Sequence, residues 1–276
     1  MSEAPAFYAR APAGLCAALE RRAAKIIYHW REGQRAFARA GGADGDVFAR
    51  YSNDPADVPR LEHEAAVRAV VGDRGALRSP PVLERGPGWM IEHAVDAEPW
   101  SGVDAVDAAV SAAAGIPELE LPGVSTTSGG GSRVRHLLRL ARAAIGPISI
   151  DDLRTARREF ADTELPTVTC HRDFHPKNIL YGREGAWVID WERTAPGPLG
   201  LDLMQLWASV ADAGDRERLF EGAVEFVGAA RRASLERLRF AVVVAEASGW
   251  HAEKNPFDRD DAALARMLEV LPELRP

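Results

Sequence analysis

The apolar period of this 276-residue chain changes about a third of the way along, and that change constrains the fold more than any other feature. Before it lie "IIYHW" (26–30), "RAFARA" (35–40) and "DVFARYS" (46–52), short aromatic or β-branched runs separated by "REGQ" and "GGADGD". Runs of this kind between glycine and aspartate turn signals predict three antiparallel strands. An amphipathic helix precedes them over "AGLCAALERRAA" (13–24), with Leu15, Ala18 and Leu19 on one side. After Pro59, "RLEHEAAVRAVVG" sets Leu61, Ala65, Val67, Ala69 and Val70 on a rough apolar face, with Gly72 as a C-cap. "PPVLERGPGWMIEHAV" then predicts two more strands around a Gly-Pro-Gly turn. Residues 1–95 therefore read as a five-stranded antiparallel sheet with one inserted helix.

Residues 96–276 read as mainly helical. "RVRHLLRLARAAIG" (133–146) places Val134, Leu137, Leu138, Ala141 and Ile145 at helical spacing, and four later segments from "DLMQLWASVADAG" to "DAALARMLEVL" continue the pattern. "TTSGGGS" (126–132) has the composition of a flexible loop. One insertion breaks the helical run: "PTVTC" leads into "CHRDFHPKNIL" (170–180), "NILY" follows, "GREG" turns, and "AWVID" (186–190) returns. A polar loop followed by a hairpin with an aspartate at its far end can present charge to a cleft.

Composition narrows the partners. A net charge of −7 argues against nucleic acid, which requires a basic footprint, and is compatible with a cationic or neutral small substrate. Two cysteines, Cys16 and Cys170, form no C-x-x-C pair and give no disulfide framework, so a reduced, cytoplasmic setting is expected. No basic flank precedes an apolar stretch at the N-terminus, and no apolar run approaches the ~18 residues of a membrane span. Only three of the 34 basic residues are lysines: Lys25, Lys177 and Lys254.

The polar loop admits two chemistries. His171-x-Asp173-x-His175 has the look of a transition-metal triplet in a hydrolase. Against it, the other five histidines have no paired spacing, and Arg172 and Pro176 suit a loop better than a strand. Asp173 and Asn178, five apart, form the alternative pair. "HRDFHPKN", followed twelve residues after Asn178 by "IDWE", resembles the catalytic segment of the aminoglycoside phosphotransferase and choline kinase-like family, usually worded H-G-D-x-H-x-x-N and I-D-[WF]-E. It is also similar to the catalytic loop and metal-binding aspartate of protein kinases.

That resemblance implies an α+β, bilobal, protein kinase-like fold with a small antiparallel β N-lobe (1–95) and a mainly helical C-lobe (96–276). It implies a small-molecule O-phosphotransferase that uses ATP or GTP and Mg²⁺ on a hydroxyl substrate, an antibiotic among the candidates. The chemistry suits the residues. Phosphoryl transfer needs a carboxylate to orient or accept the hydroxyl proton and oxygen ligands for a hard cation. Asp173 fits the first task; Asn178 and Asp190 fit the second. His171 is expected to hold the loop through backbone hydrogen bonds. His175 is either loop packing or the family's loop histidine. Asp202 is an N-cap by position and a loop brace by resemblance, and Glu192 either approaches the metal or, as the preferred reading, forms a surface ion pair.

At the nucleotide end the third strand carries Arg50 where such kinases have lysine. Glu64 is its expected helix partner, with Glu62 next, and Gly33 in "WREGQR" (30–35) marks the turn over the phosphates. By resemblance, the backbone of Glu92, His93 and Ala94 would bind the adenine. Glu253, Asp258, Asp260 and Asp261 form either an acidic acceptor lining or a solvated helix start, Asp260 or Asp261 capping the last helix. Two other readings remain: a catalytically idle nucleotide-binding module, suggested by Arg50 and the glycine-poor turn, and the metallohydrolase.

Overall fold

The computed structural model describes residues 4–42, 44–96, 98–99, 103–121, 148–182, 185–252 and 261–276. Helices α1 (Ala4–Tyr8) and α2 (Ala13–Arg21) lead into strands β1 (Lys25–Glu32), β2 (Arg35–Gly42) and β3 (Gly45–Ser52). The turn between β1 and β2 needs a left-handed residue, supplied by Gly33 at φ 58°. Strict alternation along β2 and β3 turns Ala36, Ala38, Ala40, Val47, Ala49 and Tyr51 to one face, where they pack on Phe7, Leu15, Ala18 and Leu19 of the two helices. The small alanine side chains let these helices lie close against the sheet.

Helix α3 (Val58–Val71) covers part of the opposite face, its Leu61 and Ala65 meeting Met90. Its buried side differs from the expected apolar stripe. Ala69 is exposed and Val70 half-buried, while Glu64 and Arg68 are buried with Val71. Two charges one helical turn apart occupy the core side because each finds an ionic partner there. After the short strands β4 (Asp73–Arg74) and β5 (Leu77–Arg78), β6 (Val82–Gly86) and β7 (Trp89–His93) complete the sheet in the order β1-β2-β3-β7-β6, antiparallel throughout.

A second sheet was not legible beforehand. The returning hairpin, β10 (Ile179–Gly182) and β11 (Gly185–Val188), pairs with β8 (Glu98–Pro99) on one side and with β5, then β4, on the other. Strands of two residues carry no periodicity to read. A separate pair, β9 (Thr167–Cys170) with β12 (Ala195–Pro198), closes the polar loop and the 3-10 turn after Asp190 into one unit. Helices α4 (Val103–Gly115), α5 (Ile150–Ala161), α6 (Leu201–Ser209), α7 (Ala213–Val227), α8 (Arg232–Ala252) and α9 (Asp261–Leu274) surround it. Phe174, Ile179, Val188 and Trp191 enter the same core as these helices, so the loop stands on packed side chains. The helix expected at 133–146 and the loop at 126–132 lie outside the described residues. Among the described residues no helix is long and apolar enough to cross a membrane, and Cys16 and Cys170 are both free.

Candidate active site

Asp202 organises the polar loop. Its two carboxylate oxygens accept the backbone N–H groups of His171 and Arg172, each at 2.9 Å. Arg172 is thereby held at φ 66°, a conformation costly for a side chain with a Cβ. Asp202 is not the N-cap: Gly200 holds that position at φ 89°, and Asp202 lies one residue inside α6 with its carboxylate turned to the loop. Burial pushes its carboxyl up to about 6, against the pull of the two N–H bonds.

His171 is fully buried with both ring nitrogens committed. Its Nε2 donates to the Ile189 carbonyl at 3.0 Å, which leaves Nδ1 to accept the Asp173 N–H at 3.3 Å. The ring is thus the neutral Nε2–H tautomer, and burial lowers its pKa to about 4. Neither nitrogen remains for a metal. His175 caps the 3-10 turn Pro176–Asn178, its Nδ1 accepting the Lys177 N–H at 3.2 Å. The metal-triplet expectation fails on these bonds, and among the described residues no His/Cys/Asp/Glu cluster could hold a metal in that manner.

Asn178 and Asp173 are joined across the loop by hydrogen bonds. The Asn178 amide nitrogen donates to the Asp173 carbonyl at 2.9 Å and to its Oδ2 at 3.2 Å. That orientation leaves Asn178 Oδ1 as the oxygen available to a cation. Its backbone carbonyl accepts the Ile189 N–H at 3.0 Å, tying it to the strand that delivers Asp190. Asp190 lies two residues past the end of β11 in a left-handed conformation, φ 62°. Its Oδ1 is buried without a hydrogen-bond partner. Burial, then the nearby Glu64, raise its carboxyl to about 7, with Arg50 opposing.

On β3, Arg50 pairs with the completely enclosed Glu64 and donates to Met90 Sδ at 3.3 Å. Burial disfavours its charge, but Glu64, Glu92 and Asp190 outweigh burial and hold it protonated. Lys25 begins β1 opposite Gly41, at the far end of the hairpin from Gly33. The expectation for the base fares differently. The His93 N–H donates to Pro81 O at 3.1 Å and the Ala94 N–H to Asp46 O at 3.0 Å, so the sheet has already consumed both donors. The Glu92 side chain instead reaches Arg68. Glu192 is not a surface pair: its carboxylate, 10% exposed, meets Arg35 at 2.9 Å, and Arg35 also binds Asp57 at the start of α3. Glu62 is exposed. Glu253, Asp258 and Asp260 lie outside the described residues, and Asp261 is the exposed first residue of α9.

A model of the "Phosphotransferase enzyme family" matches residues 30–241, well over half of the chain. The chain belongs to this family. Solved structures agree on the fold. A macrolide 2'-phosphotransferase, MphH from Brachybacterium faecium, superposes with TM-score 0.64 at 18% identity, covering 94% of this chain and 98% of its own. A choline/ethanolamine kinase family protein from Mesorhizobium loti gives 0.66 at 19%, covering 99% and 93%. Aminoglycoside phosphotransferase APH(2'')-Ib, ADP-bound, gives 0.60 at 11%, covering 96% and 99%. No curated protein sequence matches significantly. The fold is the bilobal α+β protein kinase-like one, and the chain is a small-molecule kinase of the phosphotransferase family.

Sequence reasoning on this phosphotransferase missed several residues that contact the polar loop or share the faces of α3 and β3. Arg193 reaches Asp173 Oδ1 at 3.1 Å from the turn after Asp190. Gln205 on α6 donates to the Arg172 carbonyl at 3.2 Å and to Glu246 on α8 at 2.9 Å, placing a second carboxylate within electrostatic range of Asp173. Arg68, one turn after Glu64, was hidden because its apolar-looking neighbours masked it. Phe48, two residues before Arg50 on the same strand face, was readable from the alternation alone.

Proposed function

We propose that this phosphotransferase moves the γ-phosphoryl group of ATP to a hydroxyl of a small molecule, with residues 1–95 as nucleotide lobe and 96–276 as acceptor lobe. The observation that carries the reading is the meeting of Asp173, Asn178 and Asp190 on one loop and hairpin, beside the Arg50–Glu64 pair. Asp173 takes the hydrogen bond of the acceptor hydroxyl and receives its proton as the new O–P bond forms and the bond to the departing ADP breaks. Arg50, held by Glu64, binds the non-transferred phosphates as a fork. The orphaned Asp190 Oδ1 and the free Asn178 Oδ1 suit a hard cation that prefers oxygen. When bound, Mg²⁺ would neutralise charge on the phosphates there.

The acceptor is a hydroxyl compound that fits the cleft around Asp173, Arg193 and Glu246; amino alcohols, aminoglycosides and macrolides are the classes to screen, with an antibiotic role as one outcome. These classes come from proteins of the same fold, a macrolide 2'-phosphotransferase, a choline/ethanolamine kinase family protein and an aminoglycoside phosphotransferase. The decisive experiment is a panel of such compounds with Mg-ATP, read by mass spectrometry for one added phosphate. Transfer that disappears in Asp173→Asn supports the reading. Nucleotide binding without transfer to any of them, or to water, would make the chain an idle binding module instead.

A further inference from the structure

The base end of the nucleotide site has an unusual wall. Phe48 and Arg50 share one face of β3, and the register sets Glu92 opposite Phe48 and Met90 opposite Arg50 on β7. Residues paired directly across antiparallel strands project to the same side, so Glu92 stands on the face that carries Arg50. Phe37, opposite Arg50 on β2, and Trp30 beyond it extend an aromatic surface there, with ring centroids 6.2 Å (Phe48–Phe37) and 5.1 Å (Phe37–Trp30) apart. With phosphates at Arg50, the next residue outward on this face meets the base. Aromatic rings are suited to its plane, and Glu92 stands at its edge.

Glu92 differs from its neighbour Glu64. Arg50 and Arg68 both meet Glu64 at Oε1, and its Oε2 is buried without a hydrogen-bond partner, closed off from any ligand. The Glu92 side chain keeps 8% of its surface exposed and binds Arg68 through Oε2 alone, and Oε1 has no hydrogen-bond partner among the described residues. Arg68 cannot turn away: its Nε donates to Ser79 Oγ at 3.1 Å and its Nη2 to Pro80 O at 2.9 Å.

Resting on the phosphotransferase reading above, we infer that Glu92 is a specificity residue for the nucleotide donor: its free oxygen accepts the exocyclic amine of a 6-aminopurine, with Arg68 as its positioning residue. A carboxylate only accepts. Adenine offers it an N–H, whereas guanine places a keto oxygen at the same ring position and leaves two acceptors facing each other. The backbone N–H groups of His93 and Ala94 are spent in the sheet, and Glu92 Oε1 is an unpaired acceptor on this face that can read the amine.

The test uses the whole chain and three nucleotides, ATP, GTP and purine riboside triphosphate, which lacks the amine, with dissociation constants measured in Mg²⁺. ATP is expected to bind the wild type about 10- to 100-fold more tightly than either of the others, the range for one hydrogen bond to a charged group. In Glu92→Gln the amide oxygen would stay on Arg68 and the amide N–H would face the base, so GTP is expected to gain on ATP and the preference to shrink or invert. A merely structural role would weaken all three alike. Equal binding of ATP and purine riboside triphosphate by the wild type, or an unchanged ATP to GTP ratio in Glu92→Gln, overturns the inference. Failure of the wild type to bind any of the three overturns the phosphotransferase reading along with it, so the two failures are distinct. The wild-type series decides the matter even where the variant does not fold.

Discussion

The polar loop and the α3 face of the large sheet both bury charged groups, and they hold them by opposite means. In the loop, Asp202 is bound by two neutral backbone N–H groups and His171 by a carbonyl and an N–H. Burial then dominates, raising Asp202 to about 6 and lowering His171 to about 4. On the α3 face each acid meets an arginine: Glu64 with Arg50 and Arg68, Glu92 with Arg68, Asp57 with Arg35. There burial opposes ionisation of Glu64, but the two arginines outweigh it and its carboxyl falls below its usual range. Peptide bonds fix a geometry; charge pairs fix a balance. The first suits a loop that presents one carboxylate at one place, the second the phosphate-binding surface proposed for Arg50.

The sharpest way to break the comparison is at the presented carboxylate. Asp173→Asn keeps the shape and the contact with Asn178 while removing the proton acceptor. Turnover is expected to fall by about 10² to 10⁴, with a melting temperature within a few degrees of wild type, because the loop's frame rests on Asp202 and His171. A large loss of stability in this variant would show that the loop depends on charge after all.

On the α3 face the expectation reverses. Arg50→Met removes the nearer of the two arginines from the enclosed Glu64, leaving Arg68 at 3.5 Å, and breaking a buried pair from one side costs about 3–5 kcal/mol. Replacing both partners, Arg50→Met with Glu64→Leu, is expected to recover most of that loss, since apolar pairs of similar volume often match a buried ion pair. Nucleotide binding stays lost in both variants. Chemical denaturation and nucleotide titration on the three proteins separate stability from function.

Asp202→Asn tests the backbone mode by a smaller step. One carboxylate oxygen becomes an NH₂ that faces a peptide N–H, and Arg172 loses part of what holds it at φ 66°. A cost of about 1–3 kcal/mol is expected, accompanied by a fall in turnover with little change in nucleotide affinity. Equal turnover would mean that the loop keeps its conformation without the fork.

The same contrast explains what was legible in the sequence. Five strands and two helices could be read from residues 1–95 because alternation, turn glycines and helical spacing are local. The loop and hairpin that carry Asp173, Asn178 and Asp190 could be read because they lie within one short stretch of chain. Arg68 could not: its meaning depends on Glu92, 24 residues on, and on Ser79 and Pro80 between them. The burial of Glu192 escapes for the same reason, its partner Arg35 lying 157 positions earlier (192 − 35) on β2 while Glu192 itself sits in a 3-10 turn. The two-residue strands β4, β5 and β8 escaped because their pairing is imposed by the hairpin they flank.

The smallest expected effect is a change with pH at the edge of the α3 face. Arg35, donating through both Nε and Nη2, and the Ser52 hydroxyl hold Asp57 down to about 2 from its ordinary 3.8. A carboxyl lowered on folding stabilises the folded chain fully above its unfolded pKa, and that contribution disappears as pH falls through its folded one. The contribution is therefore present above about pH 4 and lost between about pH 4 and 2, at most about 2 kcal/mol. Asp202, raised on folding, has the opposite sign: its contribution is present at low pH and fades as pH rises through about 6. Unfolding free energies of Asp57→Asn and wild type, followed from pH 5 to 2, are thus expected to converge as the pH falls. Curves that stay parallel would mean that Arg35 answers to Glu192 alone and that the start of α3 is held without its charge.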